Sequence, residues 1–119
     1  MKIITTAVMS TFLLSAAAMA DDGMSMPAHQ TQGTAAAQQS YQSGMDKMHH
    51  NMQEGMTSQN PDVAFAQGMT AHHQGAIDMA KTELKYGKDP EMRRLAEAII
   101  KAQQPEIDQM QVWLKKQQK

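Results

Sequence analysis

Downstream of residue 20 this chain carries ten methionines, more than its three leucines, four isoleucines and two valines together. Five histidines accompany them, and there is no cysteine. Methionine is ordinarily a minor gap-filler, because a flexible thioether specifies packing poorly. A small domain that relies on it gives up packing definition, which points to a use for the sulfur. Thioether and imidazole without thiolate form a donor set suited to Cu(I), and to Ag(I) as its surrogate. Thioethers have no proton to lose, so their binding persists in mild acid. Imidazoles bind only when neutral, so their share fades as pH falls through about 6.5. Cu(II) would draw instead on histidine and carboxylate.

Three constellations carry this chemistry. Met45, Met48, Met52 and Met56 recur at steps of three and four, which is one stripe of a helix. His49 borders the stripe and His50 points to its far side. The stripe reads equally as core and as ligands, with one or two thioethers binding and the rest packing. His72 and His73 are adjacent and project about 100° apart, so they address two neighbouring helices or two ions. Met69 and Met79 share their helix. Gln103, Glu106 and Met110 form the third group. A glutamate in an apolar stripe is paired or coordinating. Glu106 is thus a ligand, an acceptor that orients His72 or His73, or a surface residue at a loosely packed end. A further set, Met24, Met26 and His29, sits in a polar tail and reads either as a metal-capturing arm or as tail composition.

The elements that would position these groups are helices. The first is expected from about Ala35 to Thr57. Asn60-Pro61-Asp62 gives a cap, a proline at the first helical position and an acidic first turn, so a second helix starts at Pro61. It should end at about Tyr86, with Gly87 stopping it in the C′ position. Its stripe is Phe65, Met69, His72, Ala76, Met79 and Glu83. A flanking row holds Ala66, His73, Ile77, Ala80 and Leu84, so both histidines are expected inside one buried arc. Asp89-Pro90-Glu91 repeats the start signal for a third helix, from Pro90 to about Gln117. Pro105 lies inside it and should kink it beside Gln103 and Glu106. No segment alternates with period two. The expected class is all-α, an antiparallel bundle of three amphipathic helices.

Residues 1–20 read as a signal peptide, with Lys2, an apolar stretch and Ala18-Met19-Ala20 before the cleavage point. Residues 21–38 read as a disordered tail containing Met and His, and 39–119 as the helical metal-binding domain. The expected location is the periplasm. Beyond the leader the chain has a net charge of −2, which excludes a nucleic-acid binder. The lack of cysteine excludes a disulfide framework. Enzymatic templates fit poorly. No glutamate has a histidine three residues later, as di-iron carboxylate bundles require, and there is no phosphate loop or nucleophile elbow.

Phe65-x-x-x-Met69-x-x-His72-His73-x-x-Ala76-Ile77-x-Met79-Ala80, followed by Leu95-Ala96-x-x-Ile99-Ile100-x-x-Gln103-x-x-Glu106-Ile107-x-x-Met110-x-x-Trp113-Leu114, resembles the CopM-like family of small periplasmic copper proteins. That is a helical domain-of-unknown-function family, and the match spans about Gln42 to Leu114. Pro105 departs from its usually uninterrupted helix. The resemblance implies a ferritin-like helical fold that binds copper, and silver, for sequestration, resistance or trafficking. It implies ligands at Met69, His72, His73 and Met79, faced by methionine and histidine of the first helix. The resulting expectation is a non-enzymatic copper protein. Its partners would be metal ions, a copper exporter or another periplasmic copper carrier, and a second copy of itself. The alternative is a helical periplasmic chaperone whose methionine-rich face binds exposed apolar segments.

Overall fold

The computed structural model describes residues 28–119, with side chains from Gly33 onward. The expected leader, its cleavage point and the Met24–His29 arm lie outside the described side chains. Three helices follow in order: α1 (Ala28–Gly55), α2 (Pro61–Tyr86) and α3 (Pro90–Gln117). There is no strand among the described residues. The fold is an all-α bundle of antiparallel helices.

α2 and α3 begin and end where the sequence signals place them. The Asn60 side chain accepts from the backbone N–H of Asp62 at 2.9 Å and of Val63 at 3.4 Å. Asp89 does the same for Glu91 and Met92, each at 3.0 Å. Both caps satisfy donors that the first turn leaves without helical partners. α1 differs from expectation. It starts at Ala28, so residues 28–38 of the stretch expected to be disordered are helical. The alanines and glutamines of that stretch are good helix formers, and here they extend a helix anchored further on.

Gly87 stops α2 at the expected position. It caps α2 through its N–H, bonded to the Glu83 carbonyl at 2.7 Å, but its backbone is extended at φ −71° and ψ 150°, not left-handed. The freed carbonyls find another donor. Arg93 reaches back from α3 to the carbonyls of Leu84 (2.8 Å) and Gly87 (2.9 Å). That clamp makes a left-handed turn unnecessary. α3 runs unbroken across Pro105.

α2 is the middle helix, and it packs against both α1 and α3. No residue of α1 comes near one of α3 at Cα–Cα 8 Å. The reason lies in the rows of α2. Gly68, Ala71, Gly75 and Thr82 are buried toward α1, and Ala66, His73, Ile77 and Ala80 are buried toward α3. Gly75 and Ile77 are two residues apart, about 200° around a helix. The flanking helices therefore sit on opposite sides of α2, and the three lie as an open layer.

Candidate metal centre

The layer leaves two faces of α2 uncovered. One is polar, with Gln74 and Asp78 hydrogen-bonded at 3.2 Å and Lys47 of α1 at 3.6 Å from Asp78. Lys81 and Lys85 continue it. The other face is the stripe Phe65, Met69, His72, Ala76, Met79 and Glu83. The sequence reading places this stripe in the core, and the structure corrects it. Phe65 is 63 % exposed, Met79 is 47 % exposed and His72 is exposed. Amphipathicity alone cannot tell one apolar row facing a neighbour from another facing an open trough. α2 has three apolar rows, and helices cover only two.

Alignment across the seams places the remaining groups. Ser40 hydrogen-bonds Thr82 at 2.7 Å, Gly44 lies against Asp78, Met48 against Gly75 and Met56 against Gly68. This antiparallel register sets Met52 level with Ala71 and His72, and Met45 level with Met79. On the other side, His73 bonds Glu106. The same register sets Met110 level with Met69. Helical phase turns Tyr41, Met45, His49, Met52 and Met56 of α1 toward the trough. It turns Met92, Leu95, Ile99, Glu106 and Met110 of α3 the same way. A cleft of about 250 Å³ between them is lined by Tyr41, Ala76, Met79, Leu95 and Ile99 among others.

The trough thus gathers most of the expected ligands. Met45 is 37 % exposed and Met56 52 % exposed at its α1 edge, where His49 is also exposed. Met52, Met69 and Met110 are half-buried along it. Two expected ligands fall elsewhere. Met48 is pressed into the α1–α2 seam, where a Cβ on Gly75 would meet its Cγ at 2.7 Å. His73 is buried in the α2–α3 seam, and His72 is not. The expectation of one buried arc for both histidines is therefore corrected, because adjacent residues diverge by about 100°. His50 points away as expected and lies 3.4 Å from Glu54.

His73 donates its Nε2–H to the Glu106 carboxylate. This is the orienting role considered for Glu106. Its Nδ1 and the Gln103 Oε1 are buried without a partner among the described residues. The half of Glu106 not engaged with His73 faces solvent, its side chain being 62 % exposed. At the other end Tyr41 hydrogen-bonds Glu83 across the seam. Burial first, then the Glu83 charge and that hydrogen bond, push the Tyr41 phenol above its ordinary value of 10.0. Sequence reasoning passed over this pair and over Met92, which stands on the trough edge. The signal for the seam was present: Gly68 and Gly75 are two turns apart, as are Met48 and Met56 opposite them. Among the described residues no three His, Asp or Glu side chains gather as a metal-binding group. The trough's donors are thioethers and single imidazoles.

The domain of unknown function named DUF305 matches residues 6–114. The chain belongs to that family. It is also similar to "Uncharacterized protein L153" of Acanthamoeba polyphaga mimivirus, 43 % identical over 49 residues. That segment is 41 % of this chain and 32 % of the viral protein. The chain thus matches about a third of that relative's length.

Proposed function

We propose that this DUF305 protein is a non-enzymatic carrier of Cu(I), and of Ag(I) in its place, acting in the periplasm in sequestration, resistance or trafficking. The carrying observation is that Met45, His49 and Met52 of α1 and Met69, His72 and Met79 of α2 lie along one open face. A soft monovalent ion prefers this donor type. The lack of a His/Asp/Glu group among the described residues makes the same face a poor match for harder divalent ions. The periplasmic location, the ferritin-like description and the CopM-like assignment rest on the leader and the resemblance.

The test is a competition titration with a coloured Cu(I) chelator. Met→Leu roughly conserves volume but removes the sulfur. Replacing Met45, Met52, Met69 and Met79 together by leucine should lower Cu(I) affinity by about tenfold or more while helical content stays unchanged. Met48→Leu, in the seam, and His50→Ala, on the far side, should leave affinity unchanged. Equal affinity in the quadruple variant and the wild type would refute the reading.

A further inference from the structure

We infer that a second copy of this chain seats on the trough, face to face, closing two open layers into one six-helix body. The inference is independent of metal. Its first ground is the inventory of the core. The apolar residues buried among the described ones are Ala66, Ala71, Ile77, Ala80, Ala96 and Ile107, four alanines and two isoleucines. A domain of this size needs more buried apolar surface than that to hold itself together. The larger side chains are present but stand outside: Met45, Met56, Phe65, Met79, Met92 and Leu95 are all exposed. By helical phase these six lie on the trough side, and Val112, the other large exposed apolar residue, lines a pocket together with Phe65 and Met110. A contiguous apolar face of this kind marks an interaction surface.

The second ground is area. α2 has 26 residues, which gives the trough floor a length of about 39 Å. Flanking helices at the usual interaxial spacing make the trough roughly 16–20 Å wide. The face then offers roughly 600–800 Å² per copy, close to the roughly 800 Å² that a stable interface takes from each partner. The third ground is charge. The two carboxylates on the trough rows are Glu83 and Glu106, and each already has a donor in Tyr41 or His73. Each carboxylate therefore keeps a hydrogen-bond donor of its own chain when the face is covered, which lowers the cost of burying it. A two-fold axis through the trough lets one patch meet itself, as in the commonest class of soluble oligomer.

Sedimentation equilibrium of the full chain, taken as its expression host processes it and freed of metal by a chelator, tests this across a wide concentration range. The expected result is a dimer. Met79→Glu and Leu95→Glu alter side chains that are about half exposed in one copy, and each should raise the dimer dissociation constant about a hundredfold or more, since each substitution counts twice. Lys81→Glu, on the opposite face, should leave it unchanged. A folded wild type that stays monomeric at high concentration overturns the inference. So does a dimer broken by Lys81→Glu but not by the trough variants. Methionine footprinting of the wild type covers the case in which a variant misfolds. Oxidation of Met79 and Met92 should fall as concentration brings copies together, and equal oxidation at all concentrations overturns the inference as well. A trough that is instead covered by an apolar peptide would give the monomer result.

Discussion

The two seams of α2 are built on opposite plans. Toward α3 it packs aliphatic side chains, with Ile77 and Ile107 each 2 % exposed and a single His73–Glu106 bond among them. Toward α1 it offers glycine, and methionine fills the space: Met48 over Gly75, Met56 over Gly68. Branched aliphatics hold few rotamers and define a packing geometry, whereas thioethers over glycine tolerate several. The α3 side is thus the fixed half of the layer. The α1 side is adaptable, and three of the trough's sulfur atoms, those of Met45, Met52 and Met56, hang from it.

The largest test of this contrast is a pair of core substitutions read by urea denaturation. Ile77→Ala should cost about 2–5 kcal/mol, as deletions at filled sites do. Met48→Leu should cost under about 1.5 kcal/mol, because the site accepts a side chain of similar volume. Equal losses would mean that the two seams are equally well defined.

A smaller effect sharpens the α1 side. A Cβ on Gly75 would lie 2.7 Å from Met48 Cγ and 2.9 Å from its Cβ, and overpacking of this kind costs about 1–3 kcal/mol. The higher helix propensity of alanine offsets about 1 kcal/mol of it. Gly75→Ala should therefore be neutral to mildly destabilising alone, and stabilising once Met48→Ala has cleared the space. A double-mutant cycle should give a coupling of about 0.5–3 kcal/mol. Additive behaviour would show that Met48 does not sit on Gly75.

The smallest effect concerns the Tyr41–Glu83 bond at the edge of the same seam. The phenol of Tyr41 holds its proton more tightly folded than unfolded. Its contribution is then fully present below about pH 10, the unfolded value, and is lost as pH rises through the folded value. Wild type should lose slightly more stability than Tyr41→Phe between neutral pH and strong alkali. Parallel pH–stability curves for the two proteins would remove this bond from the account.

The sequence carried much of this and missed specific parts for physical reasons. Asn60-Pro61 and Asp89-Pro90 are local signals, and the helices begin there because caps act within one turn. The His73–Glu106 pairing was among the roles considered, since a glutamate inside an apolar stripe needs a donor. What could not be read was which apolar row of α2 faces a neighbour. Phe65, Met69, His72 and Met79 have the composition of a core row, but glycine at 68 and 75 draws α1 to a different side. The start of α1 at Ala28 also escaped, because low hydrophobicity says nothing against a helix that is anchored further along.

The separation of α1 from α3 has a consequence in time. Every tertiary contact in the layer joins helices that are neighbours in the chain, so no distant segments must find each other before structure accumulates. The α2–α3 hairpin, clasped at its turn by Arg93, can form first and persist alone while α1 lifts away. Amide hydrogens of α1 should then exchange at a lower free energy than those of α2, in a separate cooperative step. Partial opening would peel the sulfur-bearing edge from the trough without dismantling the half that holds His73.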